Sequence, residues 1–143
     1  MIVGIGTDLV SIDRIANILL EKGDRFIDRC FSPEERAFVD DRAGDPGIRA
    51  GGYAKRWAAK EACAKALGMG IRDDIILKDI VVVNDRLGKP TLILKGGAKE
   101  RLTTITPEGK NARIDISLSD EAGMAVAFVI ISVEPRVYGR EDV

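Results

Sequence analysis

In the first half of the chain apolar positions recur at helical spacing, and in the last third they alternate as in strands. Met1 to Ile5 is a short apolar strand whose Gly4 and Gly6 allow a tight exit. Thr7 to Ser11 then leads into a helix. Ser11 is its predicted N-cap, Ile12, Ile15, Leu19 and Leu20 mark its apolar face, and Gly23 ends it. Asp24 caps a short helix holding Phe26 and Ile27. The run Ser32-Pro33-Glu34-Glu35 combines a capping box with proline at the first helical position, predicting a helix through about Val39. After a loop at 43–47, a long helix is predicted from about Ile48 to Leu67, closed by Gly68 and Gly70.

Beyond that helix the period changes. Ile80 to Val83 and Pro90 to Leu94 read as two strands around a glycine-containing turn, 84–88. A short helix from about Gly97 to Ile105 follows. Ala112, Ile114, Ile116 and Leu118 then alternate, and Met124 to Val133 is nearly continuous apolar sequence. Helices first and antiparallel strands later predict an α+β fold. No repeat or linker divides the chain, so 1–135 is expected to form one domain, with 136–143 a polar tail that frays.

Composition narrows the chemistry. With 143 residues the chain can bury about two-thirds of its unfolded surface without a disulfide or structural metal. Its two cysteines, Cys30 and Cys63, read as reduced packing residues. Lys and Arg total 22 against 23 Asp and Glu, so net charge implies no bulk attraction to nucleic acid or anionic membrane. No apolar run approaches the roughly 20 residues of a membrane span. The expectation is a soluble, cytoplasmic protein. Histidine is absent, which removes serine-histidine and cysteine-histidine nucleophiles, imidazole acid-base chemistry and the usual zinc sites.

Chemistry must therefore run on carboxylates, amines, hydroxyls and bound ions. In the alanine-rich stretch Arg56 to Gly68, Trp57, Glu61 and Lys65 share one stripe at 100° per residue. Taken alone, Glu61 with Lys65 is an i,i+4 ion pair of a common kind. Its setting among small residues and before a glycine turn suggests phosphate for Lys65 and a hard cation for Glu61. Asp8 is either a turn carboxylate or a second cation ligand, since Mg²⁺ commonly takes one or two carboxylates plus water and phosphate. Gly4-Ile5-Gly6 lacks a third glycine at Leu9, so it is no dinucleotide fingerprint, and no phosphate loop is present. Lys89 by itself is a solvated edge charge, and Ser117, Ser119 and Asp120 by themselves are polar residues ending a strand.

Four blocks together resemble the holo-acyl-carrier-protein synthases, the short single-domain group of the 4′-phosphopantetheinyl transferases. They are Gly4-Ile5-Gly6-Thr7-Asp8 with Arg14-Ile15; Arg56-Trp57-Ala58-Ala59-Lys60-Glu61-Ala62 with Lys65-Ala66 and Gly68; Asn84 to Pro90; and Ser117-Leu118-Ser119-Asp120. The resemblance implies transfer of phosphopantetheine from coenzyme A to a serine of apo acyl carrier protein, releasing adenosine 3′,5′-bisphosphate. It implies Mg²⁺ on Asp8 and Glu61, and Lys65 on phosphate. It places Arg56, Gly68, Lys89, Pro90, Ser117 and Asp120 around coenzyme A, and Arg14 and Arg25 against the carrier. It also implies a homotrimer with sites between subunits. Many relatives carry histidine where this chain has Asp120, so a cationic contact to the nucleotide must come from Arg56 or a lysine. The competing reading is a non-catalytic oligomer that binds coenzyme A or a nucleotide.

Overall fold

A computed structural model describes residues 1–69 and 75–137. Its elements are β1 (Ile2–Ser11), α1 (Ile12–Lys22), α2 (Asp24–Cys30), α3 (Pro33–Arg42), α4 (Pro46–Ala66), a 3₁₀ turn (Leu77–Asp79), β2 (Ile80–Asn84), β3 (Pro90–Leu94), α5 (Gly96–Ile105), β4 (Lys110–Glu121) and β5 (Met124–Pro135). One antiparallel sheet has the order β1-β5-β4, and β2 with β3 forms a separate hairpin. The architecture is α+β, as the order of periodicities predicts.

Helix α4 is the axis of the molecule, packed against β1 and β5. Its small residues set the distance. Ala54, Ala58, Ala59, Ala62 and Cys63 are fully buried, and across from them lie Ala125, Ala127, Val129 and Ile131 of β5, equally buried. Large side chains would hold the layers near the usual ten ångströms of helix packing; alanine facing alanine brings backbones closer.

The first strand differs from the sequence expectation. Gly4 and Gly6 are not an exit, because β1 continues to Ser11 and pairs with β5 from Gly4↔Ile131 to Ser11↔Met124. Both glycines face α4. A Cβ on Gly6 would overlap the carbonyl oxygen of Ala62 and stand 2.9 Å from its carbonyl carbon; on Gly4 it would meet Ala66 in the same way. Glycine here permits close approach of helix and strand rather than a turn.

Two of the three predicted caps hold; Asp24 is instead the first residue of α2, whose N-cap is Gly23 with no side-chain cap hydrogen bond. Ser11 Oγ accepts from the Arg14 N–H, and Ser32 with Glu35 closes both arms of a capping box. Helix α3 runs past Val39 to Arg42. Helix α4 starts before Ile48, because Asp45 accepts from the Ile48 N–H at 2.9 Å and Pro46 takes the first turn. Gly68, at φ 72°, follows the end of α4; Gly70 lies outside the described residues. Strand β5 reaches Pro135, and Arg136 N–H donates to Gly109 O at 3.0 Å, so that end of the expected tail is tied down. Residues 138–143 of the expected tail lie outside the described residues. No described helix is long and apolar enough to cross a membrane.

Candidate active site

The close crossing of β1 and α4 assembles three of the expected side chains. Asp8 sits on the same face of β1 as Gly4 and Gly6, toward α4. From α4, Lys65 Nζ donates to Thr7 O at 2.9 Å and to Asp8 Oδ1 at 3.2 Å. Lys65 therefore spends its ammonium on Asp8 across the interface, not on Glu61 along the helix. Glu61 is partly buried on the same side. Its carboxyl is raised above the ordinary value, first by desolvation and then by the negative charge of Asp8; Lys65 and Arg14 pull it down less.

Two carboxylates that feel one another's charge, with an ammonium between strand and helix, have the chemistry to hold a cation and an anion together. No group of three or more acidic, histidine or cysteine side chains suited to a metal occurs among the described residues. A cation here would have two protein carboxylates and would complete its shell from water and phosphate, the pattern of Mg²⁺ rather than of a protein-enclosed metal. The donor set fits that ion.

Beside Glu61 opens a groove of about 840 Å³. Ile18, Phe26, Trp57 and Leu77 supply its apolar wall, and Lys22, Arg25 and Arg29 its positive rim. Trp57 leans on Phe26, with ring centroids 5.9 Å apart. Lys22, Ile76 and Leu77 were not legible as site residues, because the groove arises where α1 and α2 meet a segment some fifty residues later. Cys30 and Cys63 are both buried; burial pushes the Cys63 thiol up to about 12, so it packs rather than reacts.

The remaining expected residues lie elsewhere. Arg56 is 4 % exposed, its guanidinium donating to Asn84 Oδ1 at 2.7 Å and stacking over Phe38 at 4.4 Å. Its Nε is buried without a partner. Together with Asp120, Lys55, Arg42 and the glycines of the first turns of α4, it lines a second pocket of about 350 Å³. The two cavities share no lining residue. Asp120 pairs with Lys55 at 3.6 Å. Lys89 and Pro90 sit at the β2–β3 turn, which Asp85 closes by accepting from the Leu87 and Lys89 N–H groups. Arg56 anchors that turn through Asn84. Ser117 lines up with Phe128 and Thr7 on the outer face of the sheet, opposite to the face carrying Asp8. Within one chain, then, Asp8, Glu61, Lys65 and the adjacent Gly68 form one group, and Arg56 with Asp120 forms another.

Lys60 is a functional-looking residue that sequence reasoning passed over. It is wholly buried, with Nζ donating to Glu35 Oε1 at 2.7 Å, to Leu77 O at 3.0 Å and to Ile80 O. Burial lowers its pKa and the Glu35 carboxylate opposes that shift. Glu35 also accepts from the Ser32 and Val82 N–H groups. The pair ties α3, α4 and β2 together and fixes the Leu77 wall of the groove. Lysine next to glutamate on a helix gives no sign of such burial in the sequence.

Comparison with known proteins shows the family. The 4′-phosphopantetheinyl transferase superfamily matches residues 4–126. A holo-[acyl-carrier-protein] synthase of Rhodopseudomonas palustris strain BisA53 is 53 % identical over 135 residues, covering 94 % of this chain and 97 % of that protein. The holo-[acyl-carrier-protein] synthase of Nitrobacter winogradskyi is 51 % identical over 132 residues, covering 92 % of this chain and 95 % of the relative. Among solved structures, the Neisseria meningitidis synthase superposes with a TM-score of 0.75 at 39 % identity, covering 92 % of this chain and 99 % of that one. The Helicobacter pylori synthase, solved in complex with coenzyme A, gives 0.73 at 31 % identity, covering 90 % and 99 %. By sequence and by fold, this chain belongs to the holo-[acyl-carrier-protein] synthases of the 4′-phosphopantetheinyl transferase superfamily.

Proposed function

We propose that this protein transfers 4′-phosphopantetheine from coenzyme A to a serine hydroxyl of apo acyl carrier protein, using Mg²⁺, as a step that serves fatty acid biosynthesis in the cytoplasm. The observation that carries the reading is the meeting of Asp8, Glu61 and Lys65 where β1 crosses α4. Transfer of a phosphoryl-type group asks a protein chiefly for positioning and for charge opposite the phosphates. Asp8 and Glu61 would hold Mg²⁺, which when bound supplies Lewis-acid stabilisation of the diphosphate oxygens. Lys65, on a long and exposed side chain, contacts a phosphate oxygen. Glu61 lines the cationic groove and would take the proton of an incoming hydroxyl, directly or through a water that it orients.

Arg25 on the rim of that groove, and Arg14, whose charge reaches Glu61, suit an acidic carrier protein docking beside the site. Arg56, Lys89, Pro90, Ser117 and Asp120 serve the nucleotide end of coenzyme A, with Lys55 beside Asp120 supplying positive charge there. Because Arg56 and Asp120 line a different cavity from Glu61, and Ser117 faces away from Asp8, the complete site is read as drawn from two copies. A homotrimer provides that, and the outer sheet face supports it: Ile5 and Leu9 are 61 % and 62 % exposed and Phe128 43 %, together on the face away from α4.

The direct test incubates the protein with apo acyl carrier protein, coenzyme A and Mg²⁺ and weighs the carrier by mass spectrometry. A gain of one phosphopantetheine is expected. No gain, where another synthase gives one, would leave only the binding reading.

A further inference from the structure

We propose that Lys65 makes cation binding at Asp8 and Glu61 depend on the diphosphate, by competing with the cation for Asp8 when no phosphate is present. The inference rests on the metal-site reading above and goes beyond it, because it assigns Lys65 a role before substrate arrives.

Lys65 Nζ stands 3.2 Å from Asp8 Oδ1, close enough to be the partner of that oxygen. Its second anchor, at 2.9 Å, is the carbonyl of Thr7, the residue just before Asp8, so the ammonium is held over this carboxylate and not merely near it. Asp8 is mostly covered, its side chain 17 % exposed, whereas Lys65 is 56 % exposed. The carboxylate is fixed and the ammonium is free to swing on its four-carbon stem. A divalent cation approaching Asp8 and Glu61 thus meets a positive charge already seated on one of its two ligands. Arg14, whose charge also reaches Glu61, adds to that cost.

A diphosphate reverses the balance. Its oxygens offer Lys65 an acceptor with more negative charge than Asp8 Oδ1, and they offer the cation the ligands that two carboxylates do not supply. Once Lys65 turns to phosphate, Asp8 is released to the cation. Linkage makes the effect mutual: the cation must strengthen diphosphate binding by the factor by which the diphosphate strengthens cation binding. The chain thereby disfavours a cation alone in the site, and favours cation and coenzyme A entering together.

The test titrates Mn²⁺ by the electron paramagnetic resonance signal of the free ion, with and without coenzyme A, correcting for the Mn²⁺ that coenzyme A binds in solution. Wild-type protein is compared with Lys65→Gln, Lys65→Arg and Asp8→Asn. Without coenzyme A, Lys65→Gln is expected to bind Mn²⁺ at least fivefold tighter than wild type, the lower end of common couplings. Coenzyme A should raise wild-type affinity by at least that factor and raise that of Lys65→Gln by much less. Lys65→Arg should behave as wild type, and Asp8→Asn should lose Mn²⁺ in both arms. Unchanged or weaker Mn²⁺ binding by Lys65→Gln without coenzyme A, with a native circular dichroism spectrum, would overturn the proposal while leaving the metal site standing. Absence of Mn²⁺ binding by every protein in both arms would overturn the metal site itself.

Discussion

Gly6 of β1 lies directly against the backbone of Ala62 in α4, so near that no Cβ fits between them. Ala62 follows Glu61, and Gly6 precedes Asp8 by two residues on the same strand face. The contact therefore sets how far apart the two carboxylates stand. Gly6→Ala forces strand and helix apart, backbone against backbone, with no flexible side chain to yield. The expected loss is about 3 kcal/mol, at the upper end of overpacking costs. Urea denaturation measures it, and a loss below about 1 kcal/mol would show that the crossing has slack.

The buried pair of Lys60 and Glu35 is expected to behave as an uncompensated charge when halved. Lys60→Met leaves the Glu35 carboxylate with only the Ser32 and Val82 N–H donors, and the expected destabilisation is about 3–5 kcal/mol. A double-mutant cycle with Glu35→Gln should return a favourable coupling between the two residues. Additive losses would mean that the two side chains act independently despite their 2.7 Å contact.

Glu61 carries an expectation of opposite sign. Burial, and then Asp8, raise its carboxyl above the ordinary value, so the folded state holds that proton more tightly than the unfolded state. The stability this confers is complete below the unfolded pKa and is lost as pH rises through the folded one. At neutral pH the ionised carboxylate is a cost to the fold. In the presence of a chelator, Glu61→Gln should therefore melt above wild type at pH 7 and the advantage should shrink toward pH 4. A variant that melts lower at neutral pH would contradict the stated environment.

The exposed apolar face of the sheet predicts assembly. Leu9→Glu with Phe128→Glu places charge on β1 and β5 where no α4 contact is disturbed. Light scattering should show wild type as a trimer and the double variant as a monomer, and the monomer should lose turnover because it separates the Asp8 group from the Arg56 group. A fully active monomer would refute the composite site.

How much of this was legible in the sequence follows from the range of each interaction. Caps are local, so Ser11 and the Ser32–Glu35 box can be read, while alternation locates β4 and a nearly continuous apolar run locates β5. Gly4 and Gly6 read locally as a tight exit from the strand, because the residues that require them, Ala66 and Ala62, are distant in sequence. Asp45-Pro46-Gly47 looked like loop although it carries the cap and first turn of α4. The setting of Glu61 and Lys65 suggests a cation and a phosphate, but only the family pattern joins Asp8 to them. Their spacing alone pairs Lys65 with Glu61, while the fold gives it to Asp8. Lys60 and the Lys55–Asp120 contact had no sequence signal, since both depend on which face of α4 other elements cover.

Asp8 and Glu61 are the residues on which turnover should depend most directly. Initial rates of phosphopantetheine transfer, read by mass spectrometry of the carrier with saturating coenzyme A and Mg²⁺, should fall by at least about 100-fold in Asp8→Asn and in Glu61→Gln, as expected for loss of charge stabilisation. Circular dichroism should show both variants folded. Near wild-type rates from both folded variants would contradict the site at the crossing of β1 and α4.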